Sequence, residues 1–141
     1  MNFEFLKEEI TTKQAFNMPS TSLAFIGDAF FSLYARTKVL NTTAKSGKFH
    51  IKATKLVNAH SQSFILDKIK DKLTEEEQGI VRRAKNTHTA SKSKNSGLAD
   101  YKKATAFEAL IGFLFLTNNE SRLEELLKSV DEVELWLFVE K

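Results

Sequence analysis

Cysteine is absent from this 141-residue chain. That excludes a disulfide scaffold, a thiolate nucleophile and any cysteine-ligated zinc or iron–sulfur site. One proline and five glycines are too few turn-formers for an all-β fold, whereas a helical domain tolerates the scarcity. Long apolar runs are also missing. The longest, Leu23–Phe31 and Ala109–Leu116, fall well short of the roughly 20 residues that span a bilayer. The start, Met1-Asn2-Phe3-Glu4, lacks the basic residues and apolar stretch of a secretion signal, so the Asn-x-Thr and Asn-x-Ser triplets at Asn41 and Asn119 read as chance. The expectation is a soluble cytoplasmic protein with no membrane partner.

What is present suits a packed core. Hydrophobic residues make up 42% of the chain and charged residues 28%, and twelve phenylalanines can fill gaps between helices. The net charge of +3 conceals segregation: residues 36–72 carry +7 and residues 82–103 carry +6, while the remaining stretches are acidic. The second block comprises Arg82, Arg83, Lys85, Lys92, Lys94, Lys102 and Lys103 against Asp100. Two basic blocks in an otherwise acidic chain suggest a polyanionic partner; a solvated lysine face is the alternative.

Periodicity predicts an all-α single domain. Pro19-Ser20-Thr21 starts a helix whose apolar positions Leu23, Ile26, Phe30, Leu33 and Tyr34 run to about Asn41. Ile51, Leu56 and Val57, then Phe64 to Ile69, predict two helices, or one bent near 58–61. Thr74 followed by Glu77 marks a capped helix start, with an end near Lys85. Residues 86–99 read as a mobile surface loop of small polar residues. A helix from Asp100 would bury Phe107, Leu110, Ile111, Leu114 and Phe115 on one side. A last amphipathic helix carries Leu123, Leu126, Leu127 and Val130, with Val133–Val139 as a candidate extension.

Two acids stand out. Asp28 lies inside Leu23-Ala24-Phe25-Ile26-Gly27-Asp28-Ala29-Phe30-Phe31, and Glu108 inside Ala106-Phe107-Glu108-Ala109-Leu110-Ile111-Gly112. An ionised carboxylate amid apolar helical sequence is costly unless something compensates it. Their neighbours one turn away are small: Ala24 and Ser32, then Ala104, Thr105 and Gly112. If the helices pack together, that leaves room for a hydrated cation, and magnesium favours oxygen ligands while retaining waters. The alternative is that each acid points outward or pairs with a lysine.

The segment Leu23–Ala29 resembles the signature of the ribonuclease III family, and Thr105–Gly112 resembles that family's second acidic motif, 80 residues on from Asp28 to Glu108. The likeness covers roughly residues 18–128 and leaves no room for the double-stranded-RNA-binding domain that usually follows. The Ser/Lys-rich loop before the second motif and Val57-Asn58-Ala59-His60-Ser61-Gln62 point to the stand-alone branch, the Mini-ribonuclease III family. Ala24 and Thr105 stand where ribonuclease III proper has two further acids, a departure the branch shares.

The resemblance implies a dimeric, all-α ribonuclease III-type domain that hydrolyses double-stranded RNA with Mg²⁺, leaving a 5′-phosphate and a 3′-hydroxyl. It implies catalytic and metal-binding roles for Asp28 and Glu108, a symmetric homodimer, and a role in maturing precursor large-subunit (23S) ribosomal RNA. The seven basic residues of 82–103 are the candidate RNA contacts. His50, His60 and His88 read as polar surface or loop residues. The rival reading is a non-catalytic double-stranded-RNA-binding protein on the same scaffold.

Overall fold

A computed structural model describes residues 4–40, 46–87 and 97–131. Among these residues the regular structure is helical: α1 (Thr12–Phe16), α2 (Ser20–Leu40), α3 (Phe49–Val57), α4 (Ala59–Ile69), α5 (Glu75–Lys85), α6 (Gly97–Leu116) and α7 (Glu120–Asp131). Single 3₁₀ turns cover Glu4–Leu6, Ser46–Lys48 and Lys70–Lys72.

Local chemistry sets the boundaries. Asn58 both ends α3 and starts α4: its Nδ2 donates to the carbonyls of Thr54 and Lys55, while its Oδ1 accepts from the Ser61 amide at 2.8 Å. Its extended backbone (φ −75°, ψ 162°) separates the two helices that periodicity leaves undecided. Thr74 and Glu77 form a reciprocal capping box on α5, which ends at Lys85 as expected. The same device, Thr11 with Gln14, starts α1, a short helix that periodicity does not reveal. After α6, Asn118 turns left-handed at φ 59°, and the Asn119 amide donates back to the Leu114 carbonyl at 2.9 Å, which stops the helix.

The helix α6 is the centre of the molecule. It begins at Gly97, three residues before the expected start, and is buried around its circumference rather than on one side: Ala104, Ala106, Phe107, the run Ala109–Leu114 and Leu116 are all buried. α2 packs against it along most of its length, with α4 and α5 on other faces. Phe31 meets Phe107 edge-on at 5.0 Å, and Phe16 meets Phe113 at 6.3 Å, so the phenylalanines do fill the spaces between helices.

A buried ion pair fixes α5 to α7. Glu77, 4% exposed, accepts from Arg122 Nε and Nη2 at 2.9 and 2.8 Å, and Arg122 also donates to the Lys72 carbonyl and to Glu125. Burial opposes ionisation of Glu77, but the Arg122 and Thr74 hydrogen bonds outweigh it and hold the carboxyl below its ordinary range. The expected loop 86–99 falls mostly on residues 88–96, outside the described residues, as does the Val133–Val139 extension. No helix among the described residues is long and apolar enough to cross a membrane.

Candidate active site

The helices α2 and α6 cross in backbone contact at two glycines. A Cβ on Gly27 would collide with the Glu108 carbonyl oxygen, and one on Gly112 would collide with the Leu23 carbonyl oxygen. Each helix therefore supplies the gap into which the other fits, and the axes approach more closely than side chains allow. The order of contacts, Leu23 to Gly112 and Gly27 to Glu108, makes the helices antiparallel. Asp28 follows Gly27 directly and Glu108 lies one turn before Gly112, so the crossing sets the two acids side by side. The small residue Gly112 thus permits helix contact rather than leaving space around Glu108.

The environments of the two acids differ. Asp28 is solvent-exposed, whereas Glu108 is partly buried against the core. Burial first, and the Asp28 charge second, push the Glu108 carboxyl up to about 8. No hydrogen bond or ion pair to a described residue offsets Glu108. The outward-facing alternative describes Asp28, but the lysine-paired one fits neither acid among the described residues.

Two adjacent carboxyl groups with no countercharge among the described residues suit a divalent cation with oxygen preference. Among the described residues no group of three or more His, Cys, Asp or Glu side chains converges. The protein thus offers two ligands, and a cation there must take the rest from water and substrate oxygens, which matches the habit of magnesium.

The basic candidates scatter more than their sequence proximity suggests. Arg82, Lys85 and Lys102 are exposed. Arg83 instead turns inward: its guanidinium donates to the Phe16 and Met18 carbonyls and lies 4.9 Å from the Phe16 ring centroid, tying the α1–α2 connection to α5. Lys103 pairs with Asp67 on α4 at 3.1 Å. Lys92 and Lys94 lie outside the described residues. His60, at the start of α4, is exposed and contacts Asp100 at 3.2 Å. The sequence does not foretell that contact or the glycine crossing; its only hint is a glycine beside each acid motif.

Residues 21–119 match the family described as the ribonuclease III domain. The chain is 38% identical over 128 residues to the Mini-ribonuclease 3 of Clostridium tetani, covering 89% of this chain and 85% of that protein. It is 38% identical over 136 residues to the Mini-ribonuclease 3 of a Thermoanaerobacter species, covering 95% of this chain and 96% of the relative. A crystal structure of a Fusobacterium nucleatum protein superposes with a TM-score of 0.73 at 34% identity, covering 82% of this chain and 93% of the other. The fold and the matched residues thus define a ribonuclease III-type nuclease. Within that class the chain belongs to the Mini-ribonuclease 3 family.

Proposed function

We propose that this ribonuclease is a Mg²⁺-dependent endonuclease that cuts double-stranded RNA, with Asp28 and Glu108 as its metal-binding and catalytic residues. The observation that carries this reading is the pairing of the two acids across the Gly27–Gly112 crossing, with Glu108 raised to about 8. Such uncompensated proximity is a cost to the free protein that a bound cation removes. When bound, Mg²⁺ supplies charge stabilisation at the phosphate and lowers the pKa of a coordinated water. The protein contributes two fixed oxygen ligands. Burial and the neighbouring Asp28 raise the Glu108 carboxyl to about 8, so holding a cation near neutral pH would require it to release its proton. Asp28 is exposed, so a phosphodiester can reach it. The products would carry a 5′-phosphate and a 3′-hydroxyl.

Duplex rather than single-stranded RNA is the proposed substrate. Of the aromatic residues in the basic blocks, Phe49 and Phe64 pack against the core and only Tyr101 is exposed, which gives no stacking platform. Duplex RNA is read through shape, phosphates and 2′-hydroxyls. Arg82, Lys85 and Lys102, with Lys92 and Lys94, are the proposed phosphate contacts. Arg83 and Lys103 contribute less, since their charged groups already hold protein partners.

The proposed assembly is a homodimer. Beside Asp28, α2 exposes Phe25 (77%), Ala29 and Leu33 (62%) at four-residue spacing, an apolar ridge typical of a surface meant to be covered. The proposed catalytic unit spans about residues 18–128, acts in the cytoplasm, and serves the maturation of precursor 23S ribosomal RNA. The test is incubation of the purified protein with long duplex RNA, with the same sequence single-stranded, and with duplex DNA, each with Mg²⁺ and with chelator. Mg²⁺-dependent cutting of duplex RNA alone is expected; equal degradation of single strands overturns the reading.

A further inference from the structure

The first turns of α6, before its buried stretch begins at Ala104, divide their side chains between two sides. Asp100 and Lys103 turn to α4, where Asp100 meets His60 at 3.2 Å and Lys103 meets Asp67 at 3.1 Å. Tyr101 takes another side. It stands seven residues before Glu108, two helical turns, which puts it on the same stripe of α6 to within about 20° and about 10 Å away along the axis. Thr105 lies between them on that stripe, and its hydroxyl proton is already used, donated to the Tyr101 carbonyl at 3.0 Å. Gly112, one turn beyond Glu108, continues the line to the α2 crossing. Tyr101 is 41% exposed, and its phenol hydroxyl has no hydrogen-bond partner among the described residues.

We propose that Tyr101 contacts a ribose of the bound duplex beside the acid pair, its phenol bonding to the 2′-hydroxyl, and so helps this site choose RNA over DNA. Its placement rests on the nuclease reading of Asp28 and Glu108. A carboxyl pair that acts on a backbone phosphate brings the adjoining sugars within reach of the same face of α6. An A-form duplex displays its 2′-hydroxyls along a wide, shallow minor groove that side chains can enter. Binding a sugar there calls for a flat apolar body against the ring and a polar tip at the hydroxyl, and tyrosine carries both. Phenol and 2′-hydroxyl each donate and accept, so the bond forms in either sense. The exposed Lys102 next to it supplies charge for a phosphate, but phosphates are common to RNA and DNA and carry no such distinction. One exposed ring cannot stack a run of single-stranded bases, yet it suffices for one sugar. Phe49 and Phe64, which lack a polar tip, pack instead against the core.

The test is a binding cycle in chelator on the full-length protein. Wild type, Tyr101→Phe and Tyr101→Ala are titrated with an RNA duplex and with the same duplex carrying fluorine at every 2′ position, which keeps the A-form and removes the hydroxyl. Tyr101→Phe deletes only the phenol oxygen, so it should bind the RNA duplex about three- to tenfold more weakly than wild type and the fluorinated duplex equally well. Tyr101→Ala should lose affinity for both duplexes, since it also gives up the ring. Equal affinity of wild type and Tyr101→Phe for the RNA duplex overturns the proposal. So does an equal loss on both duplexes, which would turn the phenol into a phosphate or base contact. A lowered melting temperature in Tyr101→Phe also overturns it, by making the hydroxyl structural. Because binding is the readout, failure of the wild type to cut duplex RNA with Mg²⁺ would refute the nuclease reading separately from this cycle.

Discussion

Glu108→Gln should stabilise the metal-free protein above neutral pH while abolishing its activity. The folded-state carboxyl titrates near 8 against an ordinary 4.5. A raised folded pKa means that the folded state binds the proton more tightly than the unfolded chain. The associated stability is fully present below about pH 4.5 and is lost as pH rises through about 8. A tenfold difference in proton affinity between the two states is worth about 1.4 kcal/mol, so a carboxyl moved from 4.5 to about 8 sets a ceiling of about 5 kcal/mol. Residual solvent contact at the site reduces the expected loss to about 2–3 kcal/mol. Glutamine keeps the shape and cannot ionise, so the difference between variant and wild type isolates this group from every other titration. Urea unfolding followed by circular dichroism in chelator, from about pH 4 to 9, should give coincident midpoints at the acid end. Towards the alkaline end the variant should become more stable by about 2–3 kcal/mol. Saturating Mg²⁺ should close much of that gap, since a ligand at a hundredfold its Kd contributes about 2.7 kcal/mol, and should leave the variant unmoved. Parallel pH profiles for the two proteins would refute the claim that Glu108 is held beside Asp28 in a partly buried site.

Gly112→Ala should cost more than about 3 kcal/mol or prevent folding, because its Cβ meets the Leu23 backbone rather than a movable side chain; a thermal melt decides this. Arg122→Ala should cost about 3–5 kcal/mol by leaving Glu77 buried and unpaired. Because the Glu77 pKa is lowered on folding, its contribution is present above the ordinary carboxylate range and lost as pH falls through the folded value, so this pair should add to acid sensitivity. Lys92→Ala with Lys94→Ala should weaken duplex RNA binding and flatten the slope of its salt dependence by about one per lost contact, with little change in the rate at saturating RNA. Arg83→Ala should lower the melting temperature more than the RNA affinity, and the reverse ranking would return Arg83 to the RNA-binding surface.

Helix positions are readable in the sequence where capping chemistry marks them. Thr74 with Glu77 fixes the start of α5, and Asn118-Asn119 comes two residues past the end of α6. α1 escapes because five residues carry too little periodicity, although its capping box is present. The one-sided face expected for α6 fails for a physical reason: from Ala104 to Leu116 the helix is covered by α2, α4 and α5 and keeps little solvent face for a polar stripe. The acids are legible as anomalies, since charge inside apolar helical sequence demands an explanation. Their adjacency is not, because it rests on Gly27 and Gly112 interlocking across 85 residues of sequence. Charge counting treats all seven basic residues alike, yet Arg83 spends its guanidinium on backbone carbonyls, which no count of lysines and arginines reveals.

The central claim, that Asp28 and Glu108 act as one cation-holding unit, is tested most directly by a double-mutant cycle in single-turnover cleavage of duplex RNA with Mg²⁺. Asp28→Asn and Glu108→Gln should each slow cleavage by several orders of magnitude, with duplex binding in chelator unchanged. The double variant should be little slower than either single one, since removing one ligand already disables the unit. Independent multiplication of the two losses, or wild-type cleavage by either single variant, would contradict it.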